Sequence, residues 1–334
     1  MAELNETLLE VRDLKVHFPV TRGLLKRTVG YVKAVDGVSF TVKKGQTLGI
    51  VGESGSGKST IGNGILRLTP YAQGEIIYDG LNYKNLDKND MRRLRKRVQL
   101  IMQDPYSSLD PRMNVRDCVS EGVRIHKTMS RAEADEKAME LLSLVGIRQS
   151  YALRYPHEFS GGQRQRICLA RALAMEPEFI VCDEVVSALD VSIQAQIVTL
   201  LMEIQKQLGL TYVFIGHDLS VVRYISNDVA VMYLGRFMEM TESETLYETP
   251  LHPYTRALIS AAPIPNPRVD RARERILLQG EIPSPINPPE GCRFCTRCPY
   301  ADERCHREEP VFREVLPAHY VACHKVAEGG AWLG

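Results

Sequence analysis

From Leu8 to Phe18 apolar and polar residues alternate, the period of a half-buried strand. Residues 20–33 hold Gly23, Gly30 and several basic side chains, and read as a loop or ribbon between strands. Val35 to Val42 is a further strand candidate, and Thr47 to Val51 (TLGIV) is a short apolar run that fits a buried strand. A glycine-rich turn follows, and helical spacing then runs from Lys58 to about Leu68. Residues 74–81 read as a strand closed by a glycine turn, 90–97 as a basic helix, and Val98 to Met102 as a strand. Arg131 to Val145 has helical spacing in a stretch rich in Ala, Glu and Leu.

Phe179 to Cys182 and Thr211 to Ile215 are short apolar runs that flank a helix over Ser192–Leu208. That order predicts parallel β-α-β units, with the region around Arg131–Val145 as a helical subdomain inserted into an α/β core. After about Leu258 the texture changes and prolines crowd residues 263–289, which places a boundary near residue 260.

The chain length, 334 residues, agrees with about two domains. Lys plus Arg number 42 and Asp plus Glu 41, so bulk binding to nucleic acid is not expected, while a local anion site remains open. No apolar run reaches the ~20 residues that span a bilayer. The first residues, MAELNETLLEVRDL, are acidic and lack the apolar centre of a signal peptide, so the expectation is a chain that is neither secreted nor itself a pore. Of eight cysteines, Cys118, Cys168 and Cys182 sit beside apolar residues and read as small core side chains. Cys292, Cys295, Cys298, Cys305 and Cys323 fall in one C-terminal stretch, which in a reducing compartment points to metal or redox chemistry.

Three segments carry chemistry. Residues 52–59, Gly52-Glu53-Ser54-Gly55-Ser56-Gly57-Lys58-Ser59, fit G-x-x-x-x-G-K-[ST] between a strand and a helix. Glycines let backbone N–H groups wrap a phosphate chain, Lys58 reaches the outer phosphates, Ser59 ligates Mg2+, and Thr60 adds a contact nearer the nucleoside. The apolar strand Phe179–Cys182 ends in Asp183 and Glu184; one carboxylate at such an edge can serve a metal while the next polarises water. Ser160-Gly161-Gly162-Gln163 opens a helical stretch as a second anion nest, and the same residues also fit a capping box. A second cradle implies phosphates held by another subunit.

The set GESGSGKS, FSGGQRQR, FIVCDE, Ser187 to Asp190 (SALD) and His217 resembles the nucleotide-binding subunit of an ABC transporter, in order and spacing through residues 8–260. QDPYSSLDPRM, SALDVSIQAQI, HPYTRALISAAP and the cysteine tail narrow the resemblance to the ATPase subunits of oligopeptide and dipeptide importers. It implies an α/β P-loop (RecA-like) core over residues 1–260 with a helical subdomain at about 104–165 and an antiparallel β subdomain. A small Cys-rich regulatory domain would occupy 261–334. It implies Gln103 as γ-phosphate and Mg2+ sensor, Asp183 as metal ligand, Glu184 as base, His217 as γ-phosphate contact and Asp190 in the loop crossing a dimer interface. Tyr31, favoured over Phe18, would stack on adenine. Two departures stand out: Phe159 where the family has Leu, and Val185 where it has Pro after the glutamate, which would loosen the turn aiming Glu184.

In the tail the resemblance selects Cys292, Cys298, Cys305 and Cys323 for a [4Fe–4S] cluster and leaves Cys295 spare, with Zn2+ in the same thiols or reduced free cysteines as the alternatives. A metal staple would tie down a segment with short loops and many prolines. The expected partners are a second, distinct homologous ATPase, two transmembrane permease subunits and an extracytoplasmic binding protein, at the cytoplasmic face of the inner membrane. Peptides are the expected cargo. Nickel chelates, glutathione or oligosaccharides are the alternatives, with a non-transport ABC ATPase as the other class.

Overall fold

The computed structural model describes residues 6–23, 27–262 and 275–333. In chain order the strands are β1 (Thr7–Arg22), β2 (Arg27–Lys43), β3 (Thr47–Val51), β4 (Gln73–Tyr78), β5 (Leu81–Asn82), β6 (Val98–Ile101), β7 (Phe179–Asp183), β8 (Thr211–Ile215), β9 (Asp228–Tyr233), β10 (Arg236–Glu242), β11 (Arg313–Leu316) and β12 (His319–Val321). The helices are α1 (Lys58–Ile65), α2 (Lys88–Arg97), α3 (Pro105–Ser108), α4 (Val115–His126), α5 (Arg131–Leu144), α6 (Gly161–Leu173), α7 (Val191–Leu208), α8 (Leu219–Ile225), α9 (Ser243–Glu248), α10 (Pro253–Ala261) and α11 (Glu303–Arg307).

The chain divides into two compact units. One comprises 1–6, 43–46 and 85–215; the other comprises 7–42, 47–84 and 216–334. In the first, β6, β7 and β8 lie side by side and parallel, with Val98 opposite Phe179 and Phe179 opposite Thr211. Both faces of β7 and β8 are buried, so their sequences read as unbroken apolar runs instead of alternating ones. The helical subdomain is α4, α5 and α6 packed together. Ala134, Ala138 and Leu142 form the buried stripe of α5, and Val115, Val119 and Val123 that of α4. The start of α5 is fixed by the Ser130–Glu133 capping box.

In the second unit β1 and β2 form a long ribbon, with β4 and β5 completing the order β2-β1-β4-β5. Residues 20–33, expected as a loop or ribbon, are mostly the ribbon's strands; residues 24–26 lie outside the described set. The strand expected within residues 74–81 is β4, and the glycine turn expected to close it is Asp79–Gly80, both at positive φ, which turns the chain into β5. The other sheet portion runs β11-β12-β10-β9-β3. β3 pairs parallel to β9, Leu48 opposite Asp228, while β10 and β12 add antiparallel. β9 and β10 have no counterpart among the sequence expectations, although DVAVMY is an apolar run like the others.

The tail corrects one expectation. It does not form a separate Cys-rich domain but completes the second unit by strand addition, Glu239 opposite Val321 and Met240 opposite Tyr320. Val315, Val321 and Val326 make a small core with Leu251, Cys323 and Trp332. Beneath it the carboxylate of Glu239, wholly buried, accepts the N–H groups of Leu251 (2.7 Å) and His252 (2.9 Å) and bonds His319 Nε2 (2.7 Å). Position 260, where a boundary is expected, lies in α10 within the second unit, and residues 263–274 lie outside the described set.

Candidate nucleotide site

The phosphate loop belongs to the second unit. β3 delivers the chain to Gly52 (φ 153°), and Gly57 (φ 107°) caps α1. A Cβ would stand 2.1 Å from the Met232 carbonyl oxygen at Gly52 and 2.0 Å from that of Ala34 at Gly57. The backbones of β2 and β9 therefore dictate glycine there. Gly57 supplies no side-chain cap to the first turn of α1, whose N-terminus carries the dipole's positive end. Lys58 is 4% exposed, and its Nζ donates to Gly52 O (2.8 Å) and Glu53 O (3.0 Å), so the ammonium is folded back over its own loop. Ser54 and Gly55 are exposed at the tip, Ser56 is buried, and Ser59 and Thr60 are half-buried on α1. His217 is exposed, directly before Asp218, whose carboxylate caps α8 by accepting the N–H groups of Ser220 and Val221. Tyr31, on β2, is 51% exposed, and Phe18, on β1, 40%.

The other expected residues lie in the first unit. Gln103 follows β6 and donates from Nε2 to Glu184 Oε2 (2.8 Å). Asp183 is the last residue of β7. Glu184 sits at φ 47°, in the left-handed region that a branched side chain resists. It is held by its N–H to Ile215 O (2.9 Å) and by Ser187, whose N–H (3.1 Å) and hydroxyl (2.9 Å) both donate to Glu184 O. Val185, which follows it, is buried. Such strain collects at functional positions.

Ser160 caps α6. Its hydroxyl accepts the Gln163 N–H (3.4 Å), and Gln163 Oε1 accepts the Ser160 N–H (3.0 Å), so the capping box is present. A Cβ on Gly162 would meet Ile193 Cγ2 at 2.4 Å, and one on Gly161 would meet Leu189 Cδ2 at 3.3 Å. Leu189 and Ile193 flank Asp190, the N-cap residue of α7. The Ser160–Gln163 segment and the Asp190 loop are thus packed directly on one another, a pairing that sequence reasoning did not identify.

Two further residues missed by sequence reasoning contact the phosphate loop. Arg297 forks onto the Glu53 carboxylate (Nη1–Oε2 2.6 Å, Nη2–Oε1 3.1 Å), and the Tyr254 hydroxyl accepts the Glu53 N–H (3.0 Å). A carboxylate inside an anion cradle is the sequence signal that a cation must stand nearby; its partner, 244 positions on, is not readable from spacing.

The expected iron–sulfur ligands are not assembled. Cys292, Cys298, Cys305 and Cys323 are free thiols, and among the described residues no group of three or more His, Cys, Asp or Glu is placed to hold a metal ion. Burial pushes the Cys292 thiol up to about 12 and that of Cys323 up to about 11. Cys118, Cys168 and Cys182 are buried, with thiols raised by desolvation, as expected of core side chains. The donors expected for Mg2+, Ser59, Gln103 and Asp183, carry oxygen atoms of the type that ion takes, and Gln103 engages Glu184 through its nitrogen.

Comparison with known proteins agrees with this reading. Residues 35–187 match the ABC transporter family, and 238–305 match the C-terminal region of oligopeptide/dipeptide transporters. The chain is 55% identical over 320 residues to the oligopeptide transport ATP-binding protein AppF of Bacillus subtilis, covering 96% of this chain and 97% of that protein. It is 53% identical to the putative oligopeptide transport ATP-binding protein YkfD of the same organism, over 95% of each. Its fold is similar to that of the dimeric post-hydrolysis state of the ATP-binding cassette MJ0796 bound to ADP and Pi (TM-score 0.62, 27% identity, 71% of this chain and 99% of that one). No helix among the described residues is long and apolar enough to cross a membrane. The chain belongs to the ABC transporter family, among the ATP-binding proteins of oligopeptide and dipeptide transporters.

Proposed function

We propose that this chain is the ATP-hydrolysing motor of a peptide importer, working as half of a head-to-tail ATPase pair at the cytoplasmic face of the membrane. The observation that carries the proposal is the presence of two anion cradles, Gly52–Ser59 and Ser160–Gln163, where one P-loop needs only one. ATP lies on Lys58, Ser59 and Thr60 of one subunit and is closed over by Ser160, Gly161, Gly162 and Gln163 of the other. Tyr31 stacks on the adenine. Ser59, Gln103 and Asp183 would hold Mg2+, which would supply charge neutralisation for the outer phosphates. Glu184 accepts a proton from the attacking water, and Gln103 holds that carboxylate in place until nucleotide draws the glutamine away. His217 orients the γ-phosphate, and Asp190 crosses the interface. Polyphosphate charge is neutralised from both sides only in the closed pair, so binding closes the dimer and hydrolysis releases it.

The partners in this proposal are a homologous ATPase, two permease subunits and an extracytoplasmic binding protein. Peptide cargo is supported by the match of residues 238–305. A [4Fe–4S] cluster is not part of it, since the described thiols do not assemble one. The test is Glu184→Gln. MgATP binding is retained and steady-state turnover falls by about a hundredfold or more, as expected for loss of a general base. Normal turnover in that variant contradicts the assignment.

A further inference from the structure

Arg297 is 8% exposed, yet it sits on a short turn between Cys295 and Cys298 and reaches the phosphate loop. Its guanidinium meets both oxygens of Glu53, at 2.6 and 3.1 Å, and Nη1 lies 3.4 Å from the Tyr233 hydroxyl. Tyr233, Tyr254 and Phe294 form an aromatic wall behind this fork, with ring centroids 4.8–5.4 Å apart. Tyr254 takes the N–H of the same glutamate. Glu53 is thus gripped at backbone and carboxylate by residues that follow position 250.

The chemistry makes this grip consequential. Residues 52–59 are read as the cradle of a polyanion, and Glu53 carries a negative charge on that same loop. Unpaired, the carboxylate repels the incoming phosphates and weakens the field of the α1 N-terminus. A two-point guanidinium fork cancels the charge and fixes its position, which an ammonium does less well.

We infer that Arg297 is a positioning residue for nucleotide binding: it neutralises Glu53 and holds the phosphate loop open to an anionic ligand, so that the C-terminal segment sets the affinity for ATP. The inference rests on the reading of residues 52–59 as the triphosphate cradle.

The test is a double-mutant cycle on the full chain, with a fluorescent ATP analogue as probe and the melting temperature without nucleotide as a control for folding. Arg297→Ala raises the Kd for the MgATP analogue by about tenfold or more, by exposing one uncompensated charge. Arg297→Lys is intermediate. Adding Glu53→Gln to Arg297→Ala returns the Kd to within about threefold of wild type, because no carboxylate then needs cancelling. A merely structural role for Arg297 predicts no such rescue. Should Arg297→Ala fail to fold, Glu53→Gln alone decides: the inference predicts binding at least as tight as wild type. Unchanged affinity in a folded Arg297→Ala, no rescue in the double variant, or tenfold weaker binding in Glu53→Gln overturns it. Failure of the wild-type chain to bind the analogue would instead overturn the reading of the cradle.

Discussion

At the scale of single residues, the site is built where side chains are forbidden or strained. Gly57 is the clearest case, since its φ of 107° and the Ala34 carbonyl 2.0 Å from any Cβ leave no room for alanine. Gly57→Ala should cost about 2–4 kcal/mol in denaturant unfolding and abolish MgATP binding, because the loop must open to admit the methyl group. A variant as stable as wild type would show that the loop is not fixed by β2. Glu184 stores strain in the same sense, at φ 47° with its carbonyl pinned by Ser187. These residues were legible in the sequence because the cradle is local: spacing alone brings Gly52 to Ser59 together. The charge compensation of Glu53 was not legible, since nothing between positions 53 and 297 encodes their meeting.

At the scale of elements, the short buried strands β3, β7 and β8 were legible as apolar runs, as was the α5 stripe. β12 was not, because HYV is too short to show a period and gains its place from the edge that β10 offers. The cysteines drew attention to metal, whereas the tail is fastened by β12 pairing and by the Glu239–His319 pair. His252 lies in that layer. Its Nδ1 accepts the Tyr254 N–H (3.0 Å) as the cap of α10, and burial lowers its pKa to about 4, against a smaller raising effect of Glu239.

The sign of the pH effect follows from this depression. Between the unfolded value near 6.5 and the folded value near 4, the unfolded state binds more protons, so stability falls as pH drops through that window. The loss should reach about 3 kcal/mol at the acid end. His252→Asn keeps a cap oxygen and removes the titration, so its unfolding free energy should change less between those pH values than that of wild type. Equal slopes in urea titrations would show that His252 does not titrate there.

At the scale of the whole molecule, the proposed function gives the chain both halves of a nucleotide site and joins the halves of different chains. The best discriminating position is Gly161. A Cβ there would meet the flexible Leu189 side chain at 3.3 Å, which must give by a few tenths of an ångström to admit an aspartate. Yet that carboxylate would face the γ-phosphate of ATP bound by the opposite subunit. The most direct measurement is therefore ATP hydrolysis by the assembled transporter carrying Gly161→Asp, alongside MgATP binding to the isolated chain. The account predicts unchanged binding to the isolated chain and turnover lowered by about a hundredfold, the scale of one like-charge contact at a partly buried interface. Full turnover in the variant, or a wild-type rate per chain that persists in strictly monomeric protein, would contradict a nucleotide shared between two subunits.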